Sequence, residues 1–378
     1  MASYTWKAVG NKEDVSDIIT NIAPDETQLI NKFGKTTATA MNHEWLSDTL
    51  RPAQVNKNLE KADFTTVEAT PRRRMGNYQQ HFMAGYMVTD AQEAVLKHGV
   101  KSEISYQMVK ASKEIARDME LAVMQNSTKL RGAANTAGQE GVMGGVRYFA
   151  GGLAQAFTVV AATDVCTAAA HGFVTGDMVS VFSAGTLPAG LFSNKIYYVR
   201  AIDANTFTLH CTSVDAQANA NIVDATDTGT GVHSVDTVNI VKAGGNLTED
   251  LFNDTVQKIW QQGASAKTAY VSGKRKRQIS GWTAGTVKNR DQGETKLVNV
   301  ISIYESDFGI VNIETHRYQT DDRIDFIDES FYKLAYLVPL HIEEVPRKGT
   351  YTEKVFDGML TVENKCPQAH GALIGITG

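Results

Sequence analysis

The chain has 378 residues, 42% of them hydrophobic and 21% charged, with 37 basic and 42 acidic side chains for a formal net charge of −5. That length allows two or three domains, and the acidic balance runs against a protein that holds nucleic acid mainly by neutralising phosphates, leaving a DNA-binding reading to rest on two local basic rows. No run approaches the ~18 apolar residues of a membrane span, the opening MASYTWKAVGNKEDVSD lacks a signal peptide's apolar core, and Cys166, Cys211 and Cys366 lack CxxC spacing, which suits buried thiols in a reducing compartment better than disulfides or a zinc site.

Residues 1–35 are polar, broken by Pro24, and DVSDIITNIA has too little apolar surface to fold alone; the segment reads as an arm that must lie against something. Over 36–90 two β-prone runs, TTATAMNHEWLSD and MGNYQQHFMAGYMVT, flank a long polar stretch. That is the pattern of an extended hairpin, which in water needs packing from other elements. Over 91–126, Val100, Ile104, Met108, Ala111, Ile115, Met119 and Ala122 recur every three or four positions, with Lys110, Lys113, Glu114, Arg117 and Asp118 opposite. The spacing predicts an amphipathic helix. Gly99 interrupts its start and Ser102 can cap a restart, leaving a main helix of about 36 Å at 1.5 Å per residue.

The glycine-rich RGAANTAGQEGVMGGVRYFAGG follows as a connecting segment to residue 156. From 157 to 238 the composition turns to Ala, Thr, Val and Gly with few cations, and turn residues punctuate short apolar runs: a small all-β unit. NLTEDLFNDTVQKIWQQG predicts a helix, with Asn246 and Glu249 at capping-box spacing, Leu251, Val256, Ile259 and Trp260 on its apolar stripe, and Gly263 as its stop. TAYVSG, KLVNVISIY, GIVNIETHRY, RIDFID, FYKLAYLVPL and KVFDGMLTVENK are further strands, so the class is α+β.

The motifs that carry chemistry are weak. Gly34, Lys35 and Thr36 spell the tail of a phosphate-binding loop, but the glycine needed five residues earlier is Leu29. His43 and Glu44 do not make HExxH, and Asp321, Asp322, Asp325 and Asp328 lack the glycine and alternation of a calcium loop; the cluster is expected on a solvated rim or a subunit contact. No GxSxG elbow is present, and no catalytic, cofactor or metal residue is assigned. Two basic rows stand out, Arg72–Arg74 and Lys274–Arg277. Either could meet phosphates or pair with acidic neighbours on another subunit. The second sits at an expected helix start, where cations oppose the helix dipole.

In order along the chain, NKEDVSDIITNIAPDET, HEWLSDTL, LTEDLFNDTVQKIWQQG, KRQISGW and VENKCPQAHGALIGI resemble the major capsid (major head) proteins of tailed bacteriophages, built on the Hong Kong 97 (HK97-like) fold. The resemblance covers nearly everything outside 157–238. It implies an N-terminal arm (1–35), an E-loop hairpin (36–90), and a peripheral domain (91–156) whose spine helix is 91–126. An inserted β domain (157–238) on the outer surface, an axial domain (mainly 239–340) and C-terminal strands returning to the peripheral domain (341–378) complete the expected order. The implied function is structural rather than enzymatic: hexamers and pentamers closing into an icosahedral virion capsid around double-stranded DNA, assembled in the host cytoplasm, with no cofactor. Implied partners are other copies of the chain, a portal, a decoration protein, and a separate scaffolding protein, since no long charged helical segment precedes the arm. Packaged DNA would be touched weakly and non-specifically. Lys57 and Lys61 are available for the covalent cross-links that some relatives form. The rival expectation is a tail or adhesin protein whose β unit binds carbohydrate through exposed Phe173, Phe192, Tyr197 and Tyr198.

Overall fold

A computed structural model of the chain describes residues 27–48, 57, 60, 73–96, 100–132, 140–151, 155–169, 171, 173, 175–193, 195–237, 239–282 and 302–378. A short helix α1 (Gln28–Lys32) leads into β1 (Gly34–Thr37), β2 (Asn42–Ser47), β3 (Arg73–Tyr78), β4 (Gln80–Thr89) and α2 (Asp90–Ala94). The long helix α3 (Glu103–Gln125) and the single turn α4 (Val146–Phe149) follow. Then come β5 (Gln155–Val160), β6 (Val165–Thr167), β7 (Met178–Ser183), β8 (Ile196–Ala201), β9 (Thr206–His210), α5 (Ser213–Ala218) and β10 (His233–Thr237). The remainder comprises β11 (Ile240–Lys242), α6 (Glu249–Gln261), β12 (Thr268–Val271), α7 (Gly273–Gly281), β13 (Ile303–Ser306), β14 (Gly309–Thr315), β15 (Arg323–Ile327), β16 (Tyr332–Val345), β17 (Tyr351–Asn364) and β18 (Gly371–Ile374).

The first layer is a sheet of order β1-β16-β17-β4, antiparallel except where β1 joins β16. Helix α3 lies against it, burying Ala111, Ile115, Met119, Ala122 and Val123, and its polar side faces water. Ser102 caps α3 by accepting a hydrogen bond from the Ser105 amide at 3.3 Å. The span 91–126 is interrupted near its start, in keeping with a restart at Ser102: α2 ends where Val95 turns extended, and the long helix α3 begins after the Ser102 cap. Glu93 of α2 fastens the pair by accepting from the amides of Glu103 (2.8 Å) and Ile104 (3.4 Å).

The expected arm is corrected at its C-terminal end. Leu29 and Phe33 are buried in this chain's own core, where Phe33 stacks on Tyr332 at 4.8 Å. The Glu120 carboxylate of α3 accepts the Leu29 amide at 2.7 Å and the Ile30 amide at 3.1 Å, satisfying donors that a helix start leaves open. Residues 1–26 lie outside the described residues. The two β-prone runs are also each divided. β1 and β4 join the four-stranded sheet, and only β2 and β3 form a hairpin. The break falls at Gln79, which is buried and whose amide donates to the Met41 carbonyl at 2.9 Å.

Strands β10-β5-β6-β9-β8-β7 close into a barrel. Its interior holds Phe157, Val159, Cys166, Val179, Val181, Tyr197, Val199, Phe207, Leu209 and Val235, as alternation along each strand requires. The third layer is a sheet of order β11-β18-β15-β12-β14-β13, on which α6 buries Phe252, Val256 and Ile259. The cap of α6 is Thr248, not Asn246: Thr248 is extended and accepts the Leu251 amide at 3.4 Å. Leu247 before it shares a cluster with Phe252, the arrangement of a hydrophobic staple. Gly263 adopts φ +83° after this helix, the left-handed stop its position suggests. Two boundaries move. β16 begins in the four-stranded sheet at Tyr332, ahead of 341, whereas β18 joins the six-stranded sheet. The closing residues are therefore shared between two layers instead of returning to one.

Candidate assembly surface

What a subunit can offer a neighbour depends first on what its protruding parts are fixed to. The β2–β3 hairpin is fixed by Asn77, which is fully buried. Its amide nitrogen donates to the carbonyls of Gly144 and Val362, both at 2.8 Å, and its oxygen accepts the Gly144 amide at 2.8 Å. The next residue, Gly145, has to be glycine: a Cβ there would stand 2.5 Å from the Val123 carbonyl at the end of α3. His43 pairs with Glu363 at 3.2 Å, Arg74 with Glu44 at 2.6 Å, and Lys129 donates to the Gly76 carbonyl at 3.1 Å. The hairpin root is therefore fastened by side chains to β17 of the four-stranded sheet. Arg74, one of three in its basic row, is engaged within the hairpin, while Arg72 and Lys61 lie outside the described residues and Lys57 is exposed.

Open strand edges are the second resource. In β4 the residues Phe82, Ala84, Tyr86 and Val88 face the core side, while Met83 (68% exposed) and Met87 (58%) face outward. β4 ends its sheet, so its outer edge pairs with no strand among the described residues. β1 covers β16 only over Lys333–Tyr336, so among the described residues 338–345 is a second open edge, where no partner strand needs the N–H that Pro339 lacks. The third is β13, at the end of the six-stranded sheet. Ile303 and Ile310 are exposed on one face of the β13–β14 hairpin; around its turn, Phe308 packs on the exposed Trp260 of α6 at 5.5 Å. Open edges that carry apolar side chains are templates for association unless a partner covers them.

The motifs legible in the sequence land as follows. Gly34, Lys35 and Thr36 lie in a strand, not in a phosphate-binding turn. The row Lys274–Arg277 opens α7 and splits by helical geometry. Arg275 is 1% exposed and donates to the carbonyls of Asp321, Ile376 (3.1 Å) and Gly378 (2.9 Å) and to Gln278 Oε1 (2.7 Å). Lys276 is half-buried and donates to the Ile313 carbonyl at 2.6 Å. Only Lys274 and Arg277 are exposed, so the continuous cationic patch suggested by the sequence is corrected to two solvent-facing charges and two internal clamps. The acidic cluster divides likewise. Asp321 and Asp322 are exposed. Asp325 is buried against Arg323 (2.5 Å) and Gln319 (2.8 Å), and Asp328 is buried against Lys267 (2.7 Å) and Ser330 (2.6 Å). Among the described residues no group of three or more His, Cys, Asp or Glu is placed to hold a metal ion.

The thiols are free. Cys166 lies in the barrel core, where burial pushes its pKa up to about 12. Cys211 is exposed, contrary to expectation, with Lys195 Nζ at 3.2 Å. Of the barrel aromatics, Tyr197 is fully buried, Phe173 packs against the core, and Phe192 is exposed. A cleft of about 670 Å³ separates the barrel from the hairpin root, with Leu46, Met75, Tyr148, Phe173, Met178 and Pro367 among its walls. Sequence reasoning missed Asn77 and Glu120. A charged residue in the last turns of an otherwise apolar helix stripe was the available signal for Glu120; nothing local marked Asn77.

Comparison with known proteins gives one consistent answer. Residues 2–377 match the family model described as the SU10 major capsid protein. Among curated proteins no sequence matches. Similar solved structures include the cyanophage A-1(L) capsid asymmetric unit, with a TM-score of 0.58 at 10% identity over 97% of this chain and 98% of that one. The capsid of an empty GTA particle gives a TM-score of 0.54 at 11% identity over 97% and 96% of the two chains. Mycobacterium phage Adephagia gives 0.50 at 10% identity over 100% and 99%. At such identities the structures speak for the HK97-like fold alone, and the family match speaks for the role. The chain belongs to the SU10 major capsid protein family, and is a structural subunit of a tailed-phage capsid.

Proposed function

We propose that this subunit self-assembles into hexameric and pentameric capsomers that close into an icosahedral shell around double-stranded DNA, and that it does so without catalysing a reaction. The observation that carries the reading is the set of open, apolar strand edges: Met83 and Met87 on β4, Ile303 and Ile310 at β13–β14, and the free stretch of β16. A soluble monomer would leave these uncovered at a cost in solubility, whereas a lattice of copies can cover each with strand pairing and apolar contact. In this reading the four-stranded sheet with α3 is the peripheral domain, and the six-stranded sheet with α6 and α7 is the axial domain. The β2–β3 hairpin is the root of the E-loop, and the chain before α1 is the arm.

The barrel would stand on the outer shell surface. Its first and last strands are direct neighbours, with Gln155 opposite Val235, so it hangs from the frame without interrupting either sheet. Assembly in the host cytoplasm with a separate scaffolding protein, a portal and a decoration protein completes the proposal. Net charge of −5 supports weak, non-specific contact with packaged DNA, because few phosphates would be neutralised by the wall. The carbohydrate-binding alternative finds little support in a barrel whose Tyr197 and Phe173 serve its own core. Negative-stain microscopy of the purified chain tests the proposal: rings, tubes or shells are expected, and monodisperse monomers by light scattering at high concentration overturn it.

A further inference from the structure

Strand β14 joins two chemically unlike ends of the six-stranded sheet. At its start is the β13–β14 turn, carrying the exposed acids Glu305 and Asp307; Ile303 (59% exposed) and Ile310 (60%) lie on one face of this hairpin, and Trp260 (54%) meets Phe308 of the turn from the α6 side. At its finish, Thr315 lies opposite Val271 of the parallel neighbour β12, and the chain passes from there directly into α7. The exposed cations Lys274 and Arg277 therefore stand at the finish. At ~3.3 Å per residue the two ends are roughly 20 Å apart.

Each end is unfavourable as it stands. The turn is an uncovered edge with three large apolar side chains. The cations of α7 oppose the partial positive charge of its helix start, and two of the four face solvent rather than the chain's own carbonyls. A second copy brought to the acidic turn by its own turn would meet like charge. The α7 end of a second copy would instead meet opposite charge, in a head-to-tail contact that can close into a ring. We propose that, in the assembled shell on which the reading above rests, the β13–β14 turn with Trp260 of one copy seats against the Lys274 and Arg277 end of α7 in the next copy.

The test is charge reversal with rescue in the full chain. Lys274→Glu with Arg277→Glu, and separately Glu305→Lys with Asp307→Lys, should each lower the assembled fraction by about ten-fold in sedimentation, because like charges then face each other. All four substitutions together should restore assembly to within about three-fold of the original chain, a recovery that simple surface damage cannot produce. Thermal unfolding of each variant checks that it folds, since all four positions are exposed. A second readout needs no charge change: acrylamide quenching of tryptophan should fall on assembly in the original chain, and that fall should shrink in Trp260→Phe. The inference is overturned if the paired reversals assemble normally, if the fourfold variant folds but stays unassembled, or if quenching of Trp260 is the same before and after assembly. Failure of the original chain to assemble would instead remove the self-assembly reading itself.

Discussion

His370 is buried completely and stays neutral there. The Asp328 amide donates to its Nδ1 at 3.3 Å, and its Nε2–H donates to Asn364 Oδ1 at 3.1 Å. Burial lowers its pKa from 6.5 to about 3. Below pH 6.5 the unfolded chain takes up a proton that the folded chain refuses, so this stabilisation is complete above 6.5 and is lost as pH falls toward 3. Urea unfolding at pH 7, 6, 5 and 4 should show stability declining by up to about 1.4 kcal/mol per unit from this group, and His370→Asn should flatten that part of the profile. Arg275 is a second such residue. Arg275→Ala removes a buried guanidinium, leaves the buried Ile376 carbonyl unmatched and releases the ties to Asp321, Gly378 and Gln278, and should cost about 3 kcal/mol in denaturant unfolding. Lys274→Ala and Arg277→Ala, from the same basic row, should stay within about 0.5 kcal/mol. Sequence order made these four cations look alike; the 3.6-residue turn of α7 separates them, and only a placed helix reveals which two point inward.

For whole elements, what was legible depended on whether the signal was periodic or positional. Helix α3 declared itself because Ala111, Ile115, Met119 and Ala122 repeat at the helical period and Ser102 is a good cap. The split of the hairpin runs did not. Met75 through Thr89 is β-prone throughout, and it is the burial of Gln79 and the tie of its amide to Met41 that pass β3 to one sheet and β4 to another. Asn246 and Thr248 are both competent caps for α6, and Leu247 reaching the same core as Phe252 selects Thr248. The hairpin root rests on a side chain with no sequence signature. Asn77→Ala removes three hydrogen bonds to Gly144 and Val362 and leaves their buried polar groups unmatched, a loss of about 2–3 kcal/mol. Hydrogen exchange should then show β2 and β3 losing protection while α3 keeps it, since the helix packs independently on the four-stranded sheet.

Across the whole molecule the buried side chains fall into separate clusters, one under α3, one under α6 and one inside the barrel. The barrel was visible in the sequence as a shift of composition at about 157, because a small closed sheet uses Val, Thr and Ala in short alternating runs with few cations. Its closure was not visible, since the pairing of β10 with both β5 and β7 joins residues far apart in the chain. Contact between barrel and frame is local: Lys242 and Lys258 stand 4.6 and 5.9 Å over the Phe182 ring, and Lys242 donates to Ser234 at 2.7 Å. Cation–π contacts of this kind hold about 1 kcal/mol each when partly exposed, too little to make the barrel's folding depend on the frame. Its own interior carries Phe157, Tyr197, Phe207 and their aliphatic neighbours, and its entry and exit strands are paired. Replacing residues 155–237 by a short glycine linker should therefore leave the other two layers folded, with thermal unfolding still cooperative. The excised segment 155–237 should unfold cooperatively by itself. If either piece lost its near-ultraviolet circular dichroism while the intact chain kept it, the barrel and frame would share one core, and an addition that can be placed on a shell wall without rebuilding the wall would be the wrong description of this chain.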